Sequence, residues 1–175
     1  LIKNADTAMY QAKEQGRDTY QLFNAQINAK ALHRIKIEHG LRKALPNHEL
    51  AVYYQPIFDF RTGQISGMEA LLRWTHPELG NVPPGDFIPV AEAVGVMVPI
   101  GMWAMRAACE QAKAWHDAGH KNLSLAVNLS VNQLQQSDLV ERVEEILDAT
   151  GLPARLLELE ITESSAMQSP EASVR

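Results

Sequence analysis

The strongest constraint on the fold is a repeat late in the chain: a strand pattern at 123–129, a helix pattern at 138–149 and another strand pattern at 156–162. A strand, a covering helix and a second strand in that order require parallel crossovers, so the sequence predicts βα units. An open sheet and a barrel both satisfy that order, and the alternation within the strands separates them. Leu157, Leu159 and Ile161 share one face, while Glu158, Glu160 and Thr162 share the other. The preceding strand carries Ser124, Asn128 and Ser130 on its polar side. With helices over the apolar faces, the polar faces have to line a cavity, and the C-terminal mouth of a (β/α) barrel is such a place.

The first half supplies further elements. A helix is expected at 6–15, started by Asp6 and stopped by Gly16, then a short strand at 18–23. A long helix follows over 26–45, with Ile27, Ala31, Ile35, Leu41 and Leu45 broadly on one side and Pro46-Asn47 closing it. Residues 50–58 and 65–72 read as a hairpin around Arg61-Thr62-Gly63-Gln64. The run 75–85 holds three prolines and two glycines and reads as loop, after which Asp86 is expected to cap a short helix through Ala93. A helix at 98–118 stops at Gly119, with Trp103, Met105 and Trp115 expected to pack against the sheet.

Bulk properties exclude several classes. A chain of 175 residues with 46% hydrophobic and 21% charged content buries a sizeable core, so disorder is not expected. A net charge of -5 gives no bias toward a nucleic acid polymer, and the basic stretch from Lys30 to Lys43 is broken by Glu38 and reads as a solvated helix face. Cys109 is the lone cysteine, which fits a reducing compartment. No apolar run is long enough to span a membrane, so no membrane contact is expected from this segment. Leu1 falls inside a helical pattern, so both ends read as cuts in a longer protein.

Three oxygen-bearing side chains, Glu69, Asn128 and Glu160, fall at what the pattern reads as the downstream ends of strands. Converging carboxylates raise one another's pKa unless a cation sits between them. Carboxylate and amide oxygens without histidine or cysteine suit Mg2+ or Mn2+ better than Zn2+, and such ions accompany phosphate-bearing substrates. Arg73 shares strand parity with Glu69 and can meet a phosphate oxygen, although an arginine beside Trp74 can also simply stack on that ring. Gln55 on the strand before can add an amide contact. His116 and His120 are four apart, but Gly119 ends the helix between them and no third ligand is near.

Gln55-Pro56-Ile57, Glu69-Ala70-Leu71-Leu72-Arg73-Trp74, Phe87-Ile88-Pro89-Val90-Ala91-Glu92, Val127-Asn128-Leu129-Ser130 and Glu158-Leu159-Glu160-Ile161-Thr162-Glu163-Ser164 stand in the order and spacing of the EAL domain family. The chain resembles the N-terminal portion of that domain over 25–175. Residues 1–24 resemble the C-terminal remnant of a GGDEF domain, the diguanylate cyclase fold, without its signature loop.

The resemblance implies an α/β fold, a TIM-like (β/α)8 barrel of the EAL type cut after about half of the barrel. It implies hydrolysis of cyclic di-GMP to linear pGpG with two Mg2+ or Mn2+ ions, Ca2+ permitting binding while suppressing turnover. By position, Glu69, Asn128 and Glu160 are implied metal ligands, Arg73 a phosphate contact, Gln55 a substrate contact, and Glu163 the glutamate that steadies an active-site loop. The family's bridging aspartates, a lysine and a further glutamate come from later strands, so residues 1–175 alone are expected not to turn over. The resemblance also implies a cytoplasmic setting and a homodimer. The competing expectation is a degenerate module that binds cyclic di-GMP or another protein without hydrolysis.

Overall fold

The computed structural model describes Met9 and residues 25–161. The elements expected at 6–15 and 18–23, together with Thr162 and Glu163, lie outside the described residues.

The first described element is helix α1, Ala25–Ala44. Its buried residues Ile37, Leu41 and Ala44 recur at i, i+4 and i+7, the spacing of one helix face. Ile35 was expected on that face and is instead 61% exposed, because two residues from Ile37 is a rotation of about 200°. The basic residues face solvent as expected, and Arg42 pairs with Glu38 at 3.2 Å.

Strands β1, Leu50–Phe58, and β2, Ile65–His76, form the expected hairpin, antiparallel, with Gln55 opposite Glu69 and Leu50 opposite Trp74. β2 runs four residues beyond its expected end. The segment read as loop contains β3, Gly80–Val82, which folds back to pair with Trp74, Thr75 and His76. Helix α2, Pro84–Ala93, follows. Asp86 lies within its first turn and not at its cap: the N-cap is Pro83, and Pro84 occupies a first-turn position that needs no N–H.

Helix α3, Met97–Asp117, crosses back over the sheet and delivers the chain to β4, Ser124–Leu129. A single helical turn, α4, Val131–Leu134, and helix α5, Leu139–Thr150, lead through a 3-10 turn to β5, Leu157–Ile161. The strand order is β1-β2-β4-β5, with β2-β4 and β4-β5 parallel. An antiparallel first strand followed by parallel βα units is an α/β arrangement, and it forms part of a barrel wall.

Two cores lie on the helix-covered side. One gathers Ile37, Leu41, Trp74, Phe87 and Ile100; the other gathers Met105, Cys109, Leu125, Val127 and Ile146. Trp74 anchors the first, 1% exposed, edge-on to Phe87, with its indole N–H donating to Glu49 Oε2 at 3.0 Å. Trp115 packs edge-on against Tyr54, with centroids 4.8 Å apart. The apolar face of β5 is expected to be helix-covered, yet Leu159 and Ile161 are 40% and 39% exposed among the described residues. No described helix is long and apolar enough to cross a membrane.

Candidate active site

Pairing register decides which side chains share the polar face. Gln55 opposes Glu69 across the hairpin. In the parallel ladders Glu69 is level with Ala126, and Asn128 with Glu160. Because side chains alternate, Tyr53, Gln55, Glu69, Arg73, Asn128 and Glu160 all fall on the face away from the two cores. Gly67 begins this face on β2, where a Cβ would come within 2.4 Å of Ser124 Oγ on the adjacent strand.

Glu69 is not at a strand end, since β2 continues to His76. It sits next to the last pair of the parallel ladder with β4, at Ala70 and Val127. Beyond that seam the Asn128 amide Nδ2 donates to Glu69 Oε1 at 2.8 Å. Glu160 occupies the next strand over, level with Asn128 and about 5 Å from it in the sheet. Among the described residues, no three His, Cys, Asp or Glu side chains form a metal cage. Asn128 thus stands between the two carboxylates in the sheet and is bonded to Glu69, and the candidate donor set is two carboxylates and one amide, all oxygen. That set fits a hard divalent ion.

Arg73 does not stack on Trp74, which points into the core. Its guanidinium carbon lies 5.7 Å from the Tyr53 ring centroid, and Nη1 donates to the Leu72 carbonyl at 2.9 Å. Tyr53 is 62% exposed. Its signal in the sequence was its parity with Gln55, two residues on. His116 Nδ1 lies 3.5 Å from Asp117 Oδ1.

The turn after Asn128 is fixed by buried polar contacts. Ser130 and Gln133 form a capping box: the Ser130 N–H and hydroxyl donate to Gln133 Oε1 at 3.2 and 2.9 Å, and the Gln133 N–H donates to Ser130 Oγ at 3.3 Å. The Gln133 amide lies against Gly101 of α3, where a Cβ would come within 2.5 Å of it. Asn132 donates to the Glu92 carbonyl at 2.9 Å, tying the same turn to α2. The spacing Ser-x-x-Gln announces such a box in sequence.

A cavity of about 420 Å³ opens beside these residues, reaching Arg73 and Asn128 at one side and walled by Val52, Ile88, Met97 and Leu129. Glu92 borders it, and burial raises its carboxyl pKa.

The EAL domain model matches residues 38–174. The chain belongs to the EAL domain family. It is 44% identical over 174 residues to the bifunctional diguanylate cyclase/cyclic di-GMP phosphodiesterase MucR of Pseudomonas aeruginosa, covering 99% of this chain and 25% of that protein. It is 37% identical to the cyclic di-GMP phosphodiesterase PdeR of Escherichia coli, covering 99% of this chain and 26% of that protein. The EAL fold recurs in the PaMucR phosphodiesterase solved as a c-di-GMP complex, at 43% identity and a TM-score of 0.75, over 79% of this chain and 56% of that one. The chain therefore spans about a quarter of the length of these curated relatives.

Proposed function

We propose that this chain supplies one wall of an EAL centre that hydrolyses cyclic di-GMP to linear pGpG. The observation that carries the reading is the hydrogen bond between Asn128 and Glu69 on a polar sheet face, with Glu160 alongside and Arg73 at its edge. The phosphodiesterase names of MucR and PdeR, and the nucleotide complex of PaMucR, support the substrate assignment.

Glu69, Asn128 and Glu160 would hold Mg2+ or Mn2+ through oxygen. Two such ions, when bound, supply an activated water and offset charge on the phosphodiester. A carboxylate facing an amide N–H is one whose charge is only partly balanced, so an ion at Glu69 would displace a weak neutralising partner. The Arg73 guanidinium presents its remaining N–H groups to a non-bridging phosphate oxygen, and Gln55 orients the nucleotide from the neighbouring strand. Three protein donors suffice for one hydrated ion. The second ion needs donors beyond the described sheet, so residues 1–175 alone would not turn over. By the family resemblance, Glu163 would be the glutamate that steadies an active-site loop.

Residues 1–24 are assigned to a GGDEF-like remnant, a reading supported by the match to bifunctional MucR across 99% of this chain. A cytoplasmic setting and a homodimer belong to the same proposal and rest on the family resemblance.

The test is hydrolysis of cyclic di-GMP by the full-length protein in Mg2+, with and without Glu69→Ala, beside binding by residues 1–175 in Ca2+. Binding without hydrolysis at full length favours a receptor and overturns the enzyme reading. Robust Mg2+-dependent turnover by residues 1–175 overturns the one-wall assignment.

A further inference from the structure

Tyr53 is not among the residues that the family motifs single out, yet it lies on the site face beside Arg73. β1 runs antiparallel to β2, so Ala51 is level with Arg73 and Tyr53 with Leu71, and Tyr53 is the diagonal neighbour of Arg73 on the same face. The ring centroid is 5.7 Å from the guanidinium carbon, within cation-π range. A tyrosine 62% exposed on a strand contributes little to a core, so packing does not explain its position.

We propose that Tyr53 is a positioning residue for Arg73, holding the guanidinium ready for a phosphate of the bound cyclic dinucleotide; this rests on the function proposed above. The guanidinium has two anchors. Nη1 is fixed to the Leu72 carbonyl at 2.9 Å, and the ring restrains the plane from the side. Arginine carries several rotatable bonds, and freezing them on binding costs affinity unless the free protein has already restrained them. One N–H is used by Leu72, and the others remain for phosphate oxygens. The ring face does this work and the hydroxyl does not, because the attraction comes from the aromatic quadrupole.

The inference is tested by calorimetric titration of cyclic di-GMP into the full-length protein in Ca2+, using Tyr53→Leu, Tyr53→Phe, Arg73→Ala and the double variant Tyr53→Leu/Arg73→Ala. Tyr53→Leu should weaken binding roughly two- to fivefold, the range of an exposed cation-π contact, and Tyr53→Phe by less than about twofold. In the Arg73→Ala background Tyr53→Leu should add nothing, since its effect passes through the arginine. Thermal melting should fall by no more than about 4 °C in any of the four, the shift that loss of the contact itself allows. A Tyr53→Leu loss that persists without Arg73, or one accompanied by a larger drop in melting temperature, overturns the positioning role. So does a Tyr53→Leu variant that binds like the unsubstituted chain. If the unsubstituted full-length protein shows no binding, the phosphodiesterase reading falls and this inference with it; binding with no coupling sinks this inference alone.

Discussion

The Asn128 side-chain amide donates to Glu69 Oε1 at 2.8 Å across the seam between β2 and β4. If both are ion ligands, removing either should exceed the 10- to 100-fold loss of metal affinity typical of residues that only support a ligand. Glu69→Ala and Asn128→Ala are expected to weaken Mn2+ binding more than about 100-fold by calorimetry. Asn128→Asp should keep an oxygen ligand while placing two carboxylates together. Its melting temperature should fall without metal and rise more steeply with added Mn2+ than that of the unsubstituted chain.

Gly101 makes room for the buried Gln133 amide. Gly101→Ala should cost about 1–3 kcal/mol through overpacking, measured by urea denaturation. Gln133→Ala in the same chain should recover part of that loss, because the added methyl then occupies vacated space. The capping box stays broken in the double variant, so its Mn2+ affinity should remain below that of the unsubstituted chain.

Burial pushes the Cys109 thiol up to about 11 from 9.0, with Glu110 adding to the rise and Arg106 opposing it. Tyr54 is pushed up to about 12 from 10.0, first by burial, then by Cys109 and Glu110. Both groups are held neutral in the fold, so the native state keeps its protons to higher pH than the unfolded chain. Their contribution is complete below pH 9 and is lost as pH rises through about 11 and 12. Melting temperature should therefore decline from pH 9 upward, and less steeply in Cys109→Ala. At pH 8 the thiol should react with an aromatic disulfide reagent far more slowly than free cysteine.

Two isoleucines on α1 should behave oppositely. Ile37, 2% exposed, packs with Leu41 and Trp74, and Ile37→Ala should cost about 2–5 kcal/mol. Ile35→Gln, at a residue 61% exposed, should fall within about 0.5 kcal/mol of the unsubstituted chain by the same denaturation assay.

That contrast also shows where the sequence was legible. Alternating apolar residues and a turn located the hairpin, and the stop residue Gly119 ends its helix as expected, with positive φ, as Gly151 does after α5. The stripe on α1 is not legible in the sequence because its apolar residues outnumber those one face can hold, and only packing against Trp74 selects among them. β3 is three residues long and shows no periodicity; pairing with the end of β2 creates it, and the same extension puts Glu69 in mid-strand. Glu69, Asn128 and Glu160 were recognisable as a set, but the amide bridge required the register of two ladders. Tyr53 carries no motif of its own, because a cross-strand diagonal is invisible until the hairpin register is known. The pair Pro83-Pro84 carried the true start of α2, which Asp86 obscured.

The side chains that meet at the seam are 59 residues apart in the chain. An ion held jointly by Glu69 and Asn128 would act as a reversible crosslink, closing a long loop whose closure entropy otherwise falls on strand pairing alone. At a hundredfold excess over its dissociation constant such an ion adds about 2.7 kcal/mol to the folded state. Divalent-ion supply would then govern how firmly the hairpin is fastened to the βα units, as well as whether the centre is charged for chemistry.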